Sequence, residues 1–158
     1  MSVDRAEFKN ALAKFPSGIT IVTVAVEGTL HGMTASAFAS VSLEPPLILV
    51  CLDKSSRTRE LLLEVGTFAV NVLAAHQEEA ARAFAQTGKK PFEELPHGFG
   101  STGAPLLEES LAWIECRVER AIEAGDHDVV VGEVIACAGR SGDPLVYFDK
   151  SYRSLGLD

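Results

Sequence analysis

The sequence predicts a mainly β protein: a closed or partly closed antiparallel barrel with a few short helices at its ends. Three observations carry this expectation. Six or seven short runs are either dense in β-branched residues or alternate apolar with polar positions. Only three stretches have helical spacing. Finally, 158 residues with 47% apolar and 23% charged side chains are those of one folded domain, residues 1–158, with a core of its own. That composition excludes disordered and fibrous classes.

Asp4 and Glu7 have the spacing of a capping box, with Asp in the usual Ser or Thr position. Phe8, Ala11, Leu12 and Phe15 then share one helical face, which predicts a helix over residues 5–14 that Pro16 and Gly18 end. Residues 19–26 (ITIVTVAV) read as a strand buried on one or both faces. Glu27, Gly28 and Thr29 form a turn, and residues 31–46 (HGMTASAFASVSLEPP) return as the second strand of a hairpin. In this stretch Met33, Ala35, Ala37, Ala39, Val41 and Leu43 alternate with Thr34, Ser36, Ser40 and Ser42. One face can enter a core, and the other offers hydroxyls about 6.6 Å apart, with Phe38 the sole large apolar side chain among them. So small a surface lets a flat ligand lie against the backbone. The same pattern also suits an exposed strand whose hydroxyls face water. Glu44, Pro45 and Pro46 break the ladder, and residues 47–52 (LILVCL) begin the next strand.

Asp53, Lys54, Ser55, Ser56, Arg57, Thr58 and Arg59 lead into a short helix from Glu60 to Val65 that Gly66 stops. A strand end, hydroxyls, three cations and a helix N-terminus together make an anion site suited to phosphate. The alternative is ordinary capping by Ser55, Ser56 or Thr58 beside solvated cations. Residues 67–72 (TFAVNV) read as a strand and 77–86 as an Ala-rich helix ended by Thr87 and Gly88. The connection over residues 88–105 carries three prolines and four glycines, a length typical of a lid, a partner surface or a mobile segment. His97 within it reads as a surface residue. Residues 113–119 and 129–138 form a hairpin turned at residues 124–128, residues 145–148 form a last strand, and Lys150, Ser151, Tyr152 and Arg153 make a polar, aromatic tail.

The net charge of −8 argues against nucleic-acid and anionic-membrane surfaces, which require a clustered positive field. No apolar run is long enough to span a bilayer and the start lacks a signal-peptide apolar region, so a cytoplasmic protein is expected. Cys51, Cys116 and Cys137 share no metal-type spacing and read as buried free thiols. No metal site, dinucleotide fingerprint, Walker loop or nucleophile elbow is present. His127 stands in a tight turn between two strands, flanked by Asp126 and Asp128, which can fix its tautomer and hold its charge. Such a His can contact a ligand or donate a proton, although hairpin turns also collect these residues for backbone reasons.

The succession FPSGITIVTV, GMTASAFASVSLEPPLILVCL, KSSRT, FAVNVL, GDHDVVVGEV and PLVYFDKSYRSL resembles the flavin reductase family across nearly the whole chain. The resemblance implies an antiparallel split β-barrel of Greek-key type and an NAD(P)H:flavin oxidoreductase. Such an enzyme passes hydride from NADH or NADPH to FMN or FAD and supplies reduced flavin to a partner monooxygenase. It further implies that the isoalloxazine rests on the segment Met33, Thr34, Ala35, Ser36, Ala37 and Phe38, with Ser40 nearby, and that the flavin phosphate lies by Lys54, Ser55, Ser56, Arg57 and Thr58. His127, with Asp126 beside it, would face the nicotinamide, and Tyr147, Tyr152 and Arg153 would line the pyridine-nucleotide region. Family members are generally homodimers with flavin near the subunit interface. The rival readings are a flavoprotein of the same fold with permanently bound FMN acting on an organic substrate, and a non-catalytic flavin carrier or redox sensor.

Overall fold

A computed structural model describes residues 2–156; positions 1, 157 and 158 of the expected domain lie outside the described residues. In chain order its elements are α1 (Arg5–Leu12), β1 (Ser17–Gly18), β2 (Thr20–Val26), β3 (Thr29–Ala35), β4 (Phe38–Leu43), β5 (Pro46–Asp53), α2 (Arg57–Val65), β6 (Thr67–Val72), α3 (Glu78–Ala85), β7 (His97–Phe99), β8 (Pro105–Leu107), β9 (Ala112–Ala124), β10 (His127–Gly139), β11 (Leu145–Phe148) and β12 (Ser151–Ser154). The protein is mainly β, as the strand-period runs require.

Seven strands form one antiparallel sheet in the order β3-β2-β6-β9-β10-β5-β4, while β1-β11-β12 and β7-β8 form two small ones. The expected closure is not found: β3 and β4 are the two ends of the large sheet, so it is open. It is nevertheless strongly curled. A flat sheet would hold its outer strands about 29 Å apart, from six spacings of about 4.8 Å. Only Ser36 and Ala37 separate β3 from β4, so there the two edges lie within about 11 Å, three steps of extended chain.

This corrects the single strand expected over residues 31–46. Phe38 N–H donates to Ser36 O at 3.0 Å, and the tight turn sends the chain from one edge of the sheet to the other. The alternation fails in the second half for the same reason. Ala35 is buried and Met33 half-buried, but Val41 is 47% and Leu43 92% exposed. A register shift between Ser40 and Ser42 further disrupts the face.

The core has two lobes. Leu61 and Leu62 of α2 pack on Val22, Val24, Val50, Phe68, Val70 and Val130. On the other side Phe84 and Ala81 of α3 pack with Ile19, Ile21, Leu73, Phe92 and Leu145. β2 therefore buries both faces, consistent with its unbroken β-branched run. The helix α2 starts at Arg57, one turn earlier than expected, because Ser56 is its N-cap; Gly66, at φ 78°, closes it. Asp4 caps α1 by accepting from Ala6 N and Glu7 N, yet α1 buries no residue: Phe8 and Leu12 are 54% and 57% exposed, and Phe15, just past the helix, 79%.

Residues 88–105 are not a structureless connection. They hold a 3-10 turn (Phe92–Glu94) and β7, and β8 begins at their end. Buried Asn71 bonds Leu107 N at 2.8 Å, and buried Glu115 accepts from Thr102 N at 2.8 Å and Thr102 Oγ1 at 2.7 Å. His97 is half-buried between the rings of Phe92 and Phe99. The tail read as polar is strand β12, paired with β11. All three cysteines are free, but Cys116 alone is buried; Cys137 is exposed. No helix of the described residues is long and apolar enough to cross a membrane.

Candidate active site

Edge strand β3 is covered by α3. Gly32 permits the approach, since a Cβ there would stand 2.9 Å from Phe84 Cε1. Thr34 Oγ1 donates to Ala81 O at 2.6 Å and fastens strand to helix, so this hydroxyl does not face open space. Along the seam run two cavities that share Thr34 and Ala85. One, about 360 Å³, reaches Ser36, Tyr147 and Tyr152. The other, about 390 Å³, reaches Met33, Ser55, Ser56, Arg57 and Thr58. Together they form a groove of the size that takes a cofactor or small ligand.

At its second end the α2 N-terminus supplies donors. The N–H groups of Arg57 and Thr58 open the helix and have no acceptor within it. The helix dipole and the Arg57 guanidinium favour an anion there. Arg57 also pairs with Glu60 at 2.7 Å. The two serine hydroxyls are engaged by the protein: Ser55 Oγ donates to Asp53 Oδ1 at 2.6 Å and Ser56 Oγ to Met33 Sδ at 3.1 Å. The side-chain and backbone hydrogen bonds from Ser55 hold the Asp53 carboxyl below its ordinary pKa. With these hydroxyls engaged, the groups left to meet an anion are the backbone N–H groups and the cations.

The first end is aromatic. Tyr147 and Tyr152 stand edge to face with ring centroids 5.2 Å apart, and the Arg82 guanidinium lies 4.7 Å over the Tyr152 ring. Burial pushes the Tyr152 phenol above its ordinary pKa.

His127 does not line the groove but stands beside it. It is the direct cross-strand partner of Asp53, which does line it, so the two side chains share a face. Its Nδ1 contacts Asp126 Oδ1 at 2.7 Å, and that hydrogen bond, with the His127 charge, holds Asp126 below the ordinary carboxylate value. Asp128 is not a second flank. It is 1% exposed and bonded by Arg59 Nε at 2.6 Å on the opposite face of β10.

The structure thus gathers Met33, Thr34, Ser36, Ser55, Ser56, Arg57, Thr58, Tyr147 and Tyr152 on one groove. Others fall elsewhere. Ala35 is buried, Ala37 and Ser40 are exposed on the far side of the Ser36 turn, and Phe38 packs against the core. Lys54 pairs with Glu123 at 3.9 Å, and the Arg153 guanidinium lies 5.5 Å over Phe148. Sequence reasoning missed His31, Arg82, Ala85, Lys90 and Lys150, which also line the groove. Arg82 and Ala85 fall on one face of a helix read only as Ala-rich. Nothing local marks the two lysines or His31.

Comparison with known proteins places the chain in one family. The flavin reductase like domain family matches residues 12–156. The chain is 41% identical over 140 residues to the FMN reductase (NADH) SmoA of Agrobacterium fabrum, covering 89% of this chain and 80% of that protein. It is 40% identical over 150 residues to a probable flavin reductase of Rhizobium meliloti, covering 94% of this chain but spanning only 48% of that relative. Among solved structures, BorF, the flavin reductase component of a bacterial two-component tryptophan halogenase, is 40% identical with TM-score 0.90, over 96% of this chain and 98% of that one. The Streptomyces globisporus NADH:FAD oxidoreductase SgcE6, solved with NAD and FAD fragments, is 38% identical with TM-score 0.94, over 98% and 94%. The chain belongs to the flavin reductase like domain family.

Proposed function

We propose that this chain is an NADH-dependent flavin reductase that passes reduced FMN or FAD to a partner monooxygenase. The observation that carries the reading is the groove, with the N-terminus of α2, suited to an anion, at one end and paired tyrosines at the other. Relatives named for NADH favour that nucleotide over NADPH.

A flavin held in the groove would supply the hydride-accepting chemistry, with the reduced nicotinamide as donor. The protein's part is placement. Backbone N–H groups of Arg57 and Thr58, with the Arg57 guanidinium, hold the phosphate. The small residues from Thr34 to Ala37 let the flat ring lie against main chain, whose N–H groups support negative charge on it. Tyr147 and Tyr152 would shape the nicotinamide side and hold the two reactants in place. His127, with Asp126 bonded to Nδ1, orients the nicotinamide or delivers a proton from the rim.

The remaining features fit this reading. The curled, open sheet suits a split barrel in a single domain. The exposed apolar residues Phe8 and Leu12 of α1, Phe15 just after it and Leu43 of β4 suit burial in a homodimer. The net charge of −8 suits a cytoplasmic protein whose surface does not attract nucleic acid or anionic membrane.

The test is NADH oxidation by purified protein with and without free FMN or FAD. Turnover that requires added flavin is expected. A flavin that survives gel filtration and ignores NADH would instead indicate a prosthetic FMN serving an organic substrate, and flavin binding with no NADH oxidation would indicate a carrier or sensor.

A further inference from the structure

Behind the His127 turn lies an ion pair that stability alone does not call for. Asp128, the residue after His127 in β10, is 1% exposed. Arg59 Nε donates to its Oδ2 at 2.6 Å and Arg59 Nη2 reaches the same oxygen. Oδ1 is also buried and has no partner among the described residues. Apolar side chains of similar volume would fill this space without desolvating two charges. What a directional, charge-assisted contact supplies and an apolar one does not is a fixed position.

The pair joins two parts of the candidate site. Arg59 belongs to the first turn of α2, which also carries Arg57 and Thr58, and both of these line the anion end of the groove. His127 and Asp128 are consecutive residues of a strand, so their side chains leave opposite faces. Gripping Asp128 on one face therefore sets where His127 stands on the other. The turn has further supports: Lys54 N–H donates to Asp126 O at 3.0 Å, and Asp53 is the cross-strand partner of His127. Those two contacts tie the turn to the chain before the helix, whereas Arg59 ties it to the helix itself. Neither Arg59 nor Asp128 lines the groove.

We propose that Arg59 and Asp128 are positioning residues for hydride transfer. Their ion pair fixes the His127 turn relative to the N-terminus of α2, so that His127 keeps a constant distance from a ligand anchored there. The inference rests on the reading of the groove as a flavin site.

The test uses the double variant Arg59→Met, Asp128→Leu, in which no buried charge is stranded, together with Arg59→Lys and with His127→Ala alone and added to the double variant. In flavin-free protein, hydrogen exchange read by mass spectrometry should be about tenfold or more faster across residues 124–129 of the double variant, although its global stability is regained. Hydride transfer from NADH to FMN, followed by stopped flow, should slow by about tenfold or more, while the FMN dissociation constant changes less than about threefold. On the His127→Ala background the same pair of changes should slow transfer by less than about twofold, because the residue through which they act is gone. Arg59→Lys keeps a charged donor and should stay within about threefold of wild type. Exchange and hydride transfer that both return to wild-type values with stability would overturn the proposal. So would an undiminished loss on the His127→Ala background, or a loss of FMN affinity as large as the loss of rate. Failure of the wild type to bind or reduce FMN overturns the reading of the groove and the role in hydride transfer with it, while exchange in the turn still reports whether the pair fixes it.

Discussion

Replacing Arg59 by Met should be among the most destabilising single changes outside the hydrophobic core. Arg59 Nε donates to Asp128 Oδ2 at 2.6 Å, and the two side chains are 24% and 2% exposed. The other oxygen, Oδ1, is buried without a partner among the described residues, so Arg59 is the counter-charge on which the carboxylate depends. Removing it strands a buried charge, at a cost of about 3–5 kcal/mol. For a chain of this size about 2–4 °C of Tm accompanies each kcal/mol, giving a fall of roughly 6–20 °C. The double variant Arg59→Met, Asp128→Leu removes the stranded charge and should recover to within about 1–2 kcal/mol of wild type. Thermal and urea unfolding followed by circular dichroism measure both. A loss below about 1 kcal/mol for Arg59→Met, the value of a solvated pair, would refute the reasoning. So would a double variant no more stable than the single.

Gly32→Ala should cost about 1–3 kcal/mol, because the new methyl meets Phe84, which is itself 1% exposed and cannot swing aside. It should also weaken flavin binding by shifting α3, read by fluorescence titration. His127→Ala should slow hydride transfer about tenfold or more while changing flavin affinity less than about threefold, as separated by stopped-flow and equilibrium titration. Burial pushes the Cys116 thiol up to about 12, so a disulfide reagent at mildly alkaline pH should label exposed Cys137 first and Cys116 only on unfolding. His31 has a folded pKa below its unfolded value, so the unfolded state binds more protons just below 6.5. Stability should therefore fall as pH drops through that window, and urea midpoints for His31→Gln should lack this component.

The sequence carries element identity well wherever one face of a segment meets one environment. Residues 19–26 and 129–138 are such cases, as is the Asp4 cap. It fails at residues 31–46, where an unbroken period of two spans two strands at opposite edges of the sheet. Alternation reports only that each residue is extended, and a two-residue turn of Ser36 and Ala37 leaves the phase untouched. The site divides in the same way. The Ser55 to Thr58 end was legible because a helix N-terminus and its cations are adjacent in sequence. The contributions of His31, Arg82 and Lys90 were not, because they depend on α3 crossing β3, a contact that Gly32 permits, and Lys150 arrives from the turn between β11 and β12.

The central claim is that the groove holds flavin for hydride transfer from NADH. Its most direct test is anaerobic single turnover: protein is mixed with equimolar FMN or FAD, NADH is added, and bleaching of the flavin absorbance is followed. The account predicts bleaching at least about a thousandfold faster than the protein-free mixture, a modest share of the acceleration enzymes attain. Bleaching at the protein-free rate with flavin demonstrably bound would contradict it.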